Sequence, residues 1–517
     1  MPRMRTVIAI VLLGGLQCLI APAGFAADGE SGEAAWPTKA WSVSTPEEQG
    51  MQSGALARLV ETVGSYPQDS LLIVRHGKIV LDAYYAPYQP NVTHDLRSVT
   101  KSVVSTLTAI EIRNGQLESV DHPVIDLFPD KPIQNIDENK KAMTVQHLLD
   151  MTSGIEWTEK AYTPDEAVMR MYQAPDRTAF VLNQPMSSTP GAKFYYNSGN
   201  PYVLSALITA KTGQNALDFA KKELFGPLGI TSARWGGVDA QGVTDGEAGL
   251  SLAPHDMARF GYLYLHNGMW EGKQIIPSSW VDRARLGKVA ATFGFRYANL
   301  WWSLPEKGAY MGLGRHSQLI MVLPKLDIVV AMTGVLRDDQ HYPTSRLIDD
   351  IVGAVKSDQP LPPDPIAQSL LTASIGQAAT ERPSPLGEAP ELAKQISGKT
   401  YQLDSNTLKV KTFSLNLTDP DPSWVITTET GKPERPTAQF SGLLGLDGVF
   451  RKSPPAAYGI NATKGRWVNE RAFMIERRIL GFSQMQFWTL TFDANQVDIH
   501  FENTDGTRAE LHGETKD

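Results

Sequence analysis

Cysteine is almost absent from this chain. Its 517 residues hold one, Cys18. Histidine is sparse as well: ten residues, scattered, with no His-Glu-x-x-His or comparable cluster. No metal centre is therefore expected, and His122, His147, His255 and His266 are read as structural. An excess of basic charge is missing too. Lys and Arg number 48 against 56 Asp and Glu, for a net charge of −8 and a pI near 5.8. That leaves no electrostatic footprint for nucleic acid. Long apolar runs are absent after the first 26 residues, so no later segment is expected to span a bilayer.

Those 26 residues read differently from the rest. A cationic start with Arg3 and Arg5 leads into "TVIAIVLLGGLQCLIAP", and "AGFA" places Gly24 and Ala26 where a signal peptidase needs small residues. A membrane anchor is the alternative, but the run is short for a span of about 20 residues. Gln17 stands before Cys18, where a lipoprotein anchor needs a small residue. Cleavage would remove Cys18, leaving no disulfide, thiol nucleophile or cysteine metal site. It would also take two arginines and no acid from the net −8, so the mature chain stands at −10. The expected location is secreted or periplasmic, with no stable membrane span once the signal is gone.

What is present is an ordinary globular composition, 42% apolar and 20% charged. A chain this long needs two or more cores. "SLLIVRHGKIVLDAYYAPY" (70–88) reads as two strands around a tight turn at His76-Gly77. Residues 143–157 read as a short helix ending in a turn. Helical apolar spacing runs over 202–224 and 254–268, and "HSQLIMVLPKLDIVVAMTG" (316–334) is two strands around a Pro-Lys turn. Residues 344–357 form an amphipathic helix. Strands at both ends with helices between predict an α+β fold: an antiparallel sheet flanked by helices, with a helical subdomain. Proline-rich "QPLPPDP" and "ERPSPLGEAP" mark a linker with a short helical piece at 366–379. From about Gly398 the pattern turns β-prone. The expected organisation is a signal peptide (1–26), a main domain (27–357), a linker (358–395) and a small all-β domain, barrel or sandwich (396–517).

Three stretches carry chemistry. In "HDLRSVTKSVVSTLTAI", Ser98 and Lys101 fall on one face of a helix that starts near Ser98. The bland reading is a helix cap and a solvated lysine. The sharper one is a nucleophile at the positive helix end with its base beside it. Lysine acts as a base when burial or nearby positive charge lowers its pKa, and Val99, Val103 and Val104 offer a dry setting. In "PGAKFYYNSGN", Tyr195 or Tyr196 can take up a serine proton or merely pack. In "GLGRHSQLIMVLP", a glycine-containing turn enters a strand whose backbone N–H can face an oxyanion. Arg315 or His316 there can hold a carboxylate, or simply decorate a hairpin. Trp301 and Trp302, just upstream, line an acyl pocket or fill the core.

Together, in this order, these stretches resemble the serine β-lactamase-like hydrolases, a superfamily of class C β-lactamases, DD-peptidases, esterases and 6-aminohexanoate-dimer hydrolases. The likeness covers about residues 45–355 and includes "TVQHLLDMTSGIEW", "AGLSLAPHDMARFGYLYLHNGMWEGKQIIP" and "MVLPKLDIVVAMTG". It implies Ser98 as the acylated nucleophile and Lys101 as its base partner. Tyr195-Tyr196-Asn197 fits Tyr-x-Asn literally, while the "PG-x-x-F-x-Y" spacing selects Tyr196, which is preferred and puts Ser198 where asparagine would stand. Arg315-His316-Ser317 replaces Lys-Thr-Gly or His-Gly-Gly, giving Arg315 the cation position. The backbone N–H groups of Ser98 and Gln318 become the implied oxyanion donors. The motif style is nearest the aminohexanoate-dimer hydrolase and esterase branch, so efficient β-lactam hydrolysis is not expected. The implied activity is cleavage of a small ester, amide or short peptide without metal or organic cofactor. DD-peptidase or β-lactamase-type activity, or a catalytically silent binding protein on the same fold, are the alternatives.

Overall fold

The computed structural model describes residues 36–515, apart from 161, 339, 341, 386–387, 433–434, 456–458 and 494. The segment read as a signal peptide, Cys18 included, lies outside the described residues.

Gln68–Arg75 is buried at every position, as a strand covered on both faces must be. The chain returns along Lys78–Tyr84 through His76 and Gly77, whose φ angles of 49° and 71° suit a tight two-residue hairpin turn. Around this hairpin, nine described strands form one sheet. Their order is Ser42–Val43, Lys78–Tyr84, Gln68–Arg75, Ile328–Gly334, Gln318–Leu323, Ala309–Gly314, Trp301–Leu304, Arg296–Ala298 and Val289–Ala290. Every pairing is antiparallel except the outermost, Ser42–Val43 against Lys78–Tyr84.

Helices cover both faces. On one, Ser53–Gly64 and Thr344–Ala354 bring Leu56, Val60, Leu347 and Ile351 onto Leu71, Ile73, Met321 and Val330. Pro365–Ala378 then packs on Ser53–Gly64 through Leu371. That part of the proline-rich segment is thus packed structure, begun by the Asp364 cap and Pro365 at the first helical position. On the other face lie Val99–Arg113, Pro254–Leu265 and the helical subdomain. A Cβ on Gly261 would come within 2.6 Å of Val329, so glycine lets that helix sit close to the sheet. The continuous helical spacing over 202–224 is broken. Gly199–Thr212 ends at Gly213 (φ 69°), and Asn215 caps a new helix, Ala216–Ala220.

From Thr400 on, the described elements are all β. Ten described strands run as an antiparallel meander from Thr400 to Glu514. Alternation is plain in Gln496–Asn503, where Val497, Ile499 and Phe501 are buried between exposed residues. The two ends of the sheet approach each other where Gly445 bonds across to Thr463 and Gly465. The result is a near-barrel with its own core, which includes Phe413, Trp424, Phe473, Trp488, Leu490 and Phe492.

Candidate active site

Ser98 stands at the N-terminus of Val99–Arg113. Every residue of that helix from Val99 to Glu111 is buried. A helix wrapped on all sides needs no apolar stripe. Its hydroxyls are matched locally instead: Ser102 Oγ donates to Leu300 O at 2.9 Å and Thr106 Oγ1 to Ser102 O at 2.8 Å. Arg97, just before the serine, is left-handed at φ 48°, a conformation that costs a non-glycine residue about 1 kcal/mol. The chain therefore turns sharply into Ser98.

One helical turn on, Lys101 is 1% exposed. Its ammonium donates to Ser98 Oγ at 2.8 Å and to Glu247 O at 2.9 Å, and it meets Glu247 Oε2 at 3.3 Å. These three contacts use the whole donor capacity of an ammonium group. Burial pulls the Lys101 pKa down, as expected from the valines around it. Tyr196, Glu247, Glu159 and Tyr162 pull it up and prevail, so the net direction is upward. The balance of these influences runs opposite to the lowering that a base role for Lys101 would need. Burial pushes the Glu247 carboxyl up, and Lys101 opposes that push. With Nζ inside hydrogen-bonding range of three oxygens, the charged lysine is the better-supported state.

Lys101 Nζ lies 5.1 Å from the centre of the Tyr196 ring. Tyr196 is half-buried and stacks on Trp302 at 6.0 Å. Tyr195 is 38% exposed and is anchored through its backbone N–H to Met151 O. Strand alternation separates the two tryptophans. Trp301 is fully buried against Phe260, Tyr264 and Tyr310. Trp302 turns the other way, toward Phe194 and Tyr196.

Ser198 does not offer a free hydroxyl. Its N–H and Oγ both donate to Glu159, at 2.8 and 2.5 Å, and Trp157 Nε1 and Tyr162 OH donate to the same carboxylate. Glu159, Glu247 and Tyr162 stand in the candidate site beside Lys101 and Ser198, and sequence reasoning missed them. Glu159 and Glu247 sit beside recognisable stretches, two residues after Trp157 and one before Ala248, yet no spacing rule ties them to Lys101.

The third element, residues 312–324, packs against the start of the Ser98 helix. A Cβ on Gly314 would fall 2.4 Å from Leu96 O, so the hairpin presses on the loop before Ser98. Gln318 pairs in register with Gly314, and its side-chain amide donates to Gly334 O at 2.7 Å and to His316 O at 3.2 Å. Arg315 is engaged elsewhere. It forms an ion pair with Asp338, donates to Asp505 O at 3.0 Å, and lies 4.4 Å over the Tyr162 ring. His316 is buried, with Nδ1 2.6 Å from Leu336 O. Burial leads in pushing its pKa down to about 4, so the ring is neutral and Nδ1 carries the donated proton. Among the described residues no cluster of His, Cys, Asp or Glu is fit to hold a metal ion. Nor is any described helix long and apolar enough to cross a membrane.

The profile of the family described as Beta-lactamase matches residues 56–342, more than half the chain. The chain belongs to the β-lactamase family. A 6-aminohexanoate-dimer hydrolase of Paenarthrobacter ureafaciens is 25% identical over 316 residues, which cover 56% of this chain and 78% of that protein. A solved structure from Bacillus anthracis, provisionally assigned as a 6-aminohexanoate-dimer hydrolase, superposes with a TM-score of 0.50 at 21% identity. It covers 62% of this chain and 87% of its own, a likeness of fold. The β-lactamase-like protein is thus a hydrolase of that fold, related to 6-aminohexanoate-dimer hydrolase.

Proposed function

We propose that this β-lactamase-family chain is an exported serine hydrolase that cleaves a small linear amide or ester through an acyl-enzyme on Ser98. One observation carries the reading: the 2.8 Å contact of Lys101 Nζ with Ser98 Oγ at the start of a buried helix. With Lys101 Nζ engaged by three oxygens, Tyr196, working as its phenolate, is assigned to take the serine proton. Ser98 Oγ attacks the carbonyl carbon, and the proton passes to the Tyr196 oxygen. The negative charge on the carbonyl oxygen is met by the backbone N–H groups of Ser98 and Gln318. The C–N or C–O bond then breaks as Tyr196 returns the proton to the leaving amine or alcohol. Water repeats the cycle on the acyl-serine, releasing the acid and restoring Ser98.

Two further observations favour linear substrates over β-lactams. Arg315, at the position implied for binding a carboxylate, is already paired with Asp338. The curated relative takes its name from the 6-aminohexanoate dimer, a linear amide. Export rests on the leader pattern of residues 1–26.

The test is peptide-mapped mass spectrometry after treatment with a fluorophosphonate. One adduct on Ser98 is expected, absent in Ser98→Ala and slowed by orders of magnitude in Lys101→Ala. Full hydrolytic activity in Ser98→Ala would end the proposal.

A further inference from the structure

Residues of the C-terminal near-barrel reach both walls of the site. The turn Gly481–Gln484, between strands Ala472–Leu480 and Met485–Asp493, lies on the loop that carries the nucleophile. Asp95 N–H donates to Gly481 O at 2.7 Å. Buried Ser483 accepts from Arg97 Nε at 2.6 Å and donates to Asp95 Oδ2 at 3.3 Å. A Cβ on Gly481 would stand 2.2 Å from Thr93 O, so the two backbones touch. Behind this contact Arg478 grips fully buried Asp69 at 2.5 and 2.7 Å, and Asp69 holds His94 at 3.0 Å. A second turn, around Thr504 and Asp505, holds the third element. Arg315 donates to Asp505 O at 3.0 Å, and Asp338 N–H donates to Thr504 O at 3.2 Å. The two turns are tied to each other by Gln484 Nε2 to Asp505 Oδ2 at 2.6 Å.

We infer that the C-terminal near-barrel is a working part of the catalytic centre: it clamps the nucleophile loop to the Arg315–Gln318 hairpin, and Ser483 is a positioning residue for Ser98. This rests on the Ser98 reading above. The physical link is the peptide unit between Arg97 and Ser98. Its N–H is the proposed oxyanion donor, and its direction is set by the backbone angles of Arg97 and Ser98. Arg97 sits in the disfavoured left-handed region at φ 48°, and such a conformation persists only where its surroundings fix it. Asp95 fixes its N–H at 3.0 Å. Ser483 at 2.6 Å and Asp95 Oδ2 at 3.1 Å share its guanidinium Nε, and Ser483 also holds Asp95, so it braces both partners of the loop. Loosening of Arg97 would turn the Ser98 N–H away from the forming oxyanion while leaving Lys101 and Tyr196 in place. The effect should therefore fall on acylation more than on binding.

The experiment uses the full mature chain with wild type, Ser483→Ala, Ser483→Thr and Gln484→Ala. For each, the rate of fluorophosphonate labelling at Ser98 is measured, with kcat and KM on a p-nitrophenyl ester and the melting temperature. Ser483→Ala is expected to slow labelling and kcat about tenfold with KM within twofold, and Ser483→Thr, which keeps the hydroxyl, to recover most of the loss. Gln484→Ala cuts the link between the turns on a half-buried side chain and should give a smaller fall of the same kind. It carries the test if a Ser483 variant fails to fold. Wild type left unlabelled at Ser98 would overturn the Ser98 reading itself. Wild type labelled at Ser98, with folded variants labelled at the same rate, would overturn the clamp and reduce the near-barrel to a docked neighbour.

Discussion

Ser98 and Lys101 reach each other across a single turn of one helix. Arg315 meets Asp338 from another strand end and Asp505 from 190 residues further along the chain. Both pairs belong to the candidate site, but they are assembled by different means. The first is geometric: residues three apart on a helix share a face whatever surrounds them. The second is contextual. Whether Arg315 is a free cation or a spent one depends on which acid arrives from a distance. Spacing therefore brings the proposed reacting atoms together, while long-range packing sets the groups that surround them. Lys101 shows both effects at once, placed by its own helix and bonded to Glu247, 146 residues away.

The largest effect expected on this contrast concerns the tyrosines. Tyr196→Phe keeps the ring over the Lys101 ammonium and removes the proton acceptor, so kcat should fall by about 10²–10³-fold. Tyr195→Phe, on an exposed side chain, should stay within about twofold. Steady-state kinetics of both variants on one ester decide the matter. Equal losses would mean that the tyrosine is not selected by its place against Lys101.

A smaller effect separates placement from charge. The surroundings of Lys101 push its pKa up, so no loss of rate from its deprotonation is expected near neutral pH. Glu247→Gln removes one of the groups that hold it up and leaves burial pulling down. The alkaline limb of the pH–rate profile should then move to lower pH, with activity at neutral pH changed less than tenfold. If the reaction instead needs a neutral lysine, the same variant would become faster near neutrality. The direction of the change therefore distinguishes the two proton routes.

The site was legible in the sequence to the extent that its geometry is local. Ser98 with Lys101 and the hairpin turn at His76-Gly77 follow from spacing and turn chemistry. The strands either side of Pro324-Lys325 follow from alternation and turn chemistry in the same way. Glu159 and Glu247 do not, because an acid is recognised as a partner only when the fold brings it to a cation. Trp301 and Trp302 show the boundary: alternation requires them to face opposite ways, but only the packing reveals that Trp302 is the one beside Tyr196. The near-barrel was legible as β structure from its alternation. Its contact with the Ser98 loop was not, since Ser483 is an unremarkable serine in a turn until Arg97 reaches it, 386 residues away in sequence.

His316 offers the mildest test, on stability rather than rate. The ring is buried and neutral in the folded chain, with its pKa lowered to about 4, while the unfolded chain titrates near 6.5. Between these values the unfolded state binds a proton that the native state refuses, so stability present above about pH 6.5 is lost as pH falls toward about 4. The full difference is on the order of 3 kcal/mol. His316→Asn keeps a donor for Leu336 O and suits the left-handed backbone at φ 65°, but it cannot titrate in this window. Urea unfolding of wild type and His316→Asn at pH 7, 5.5 and 4 should therefore give curves that converge or cross as the pH falls. Wild type should lose more stability than the variant by roughly that amount. Parallel losses in the two proteins would show that the third element contains no buried neutral histidine, and that the hairpin wall is as open to water as the helix wall is closed.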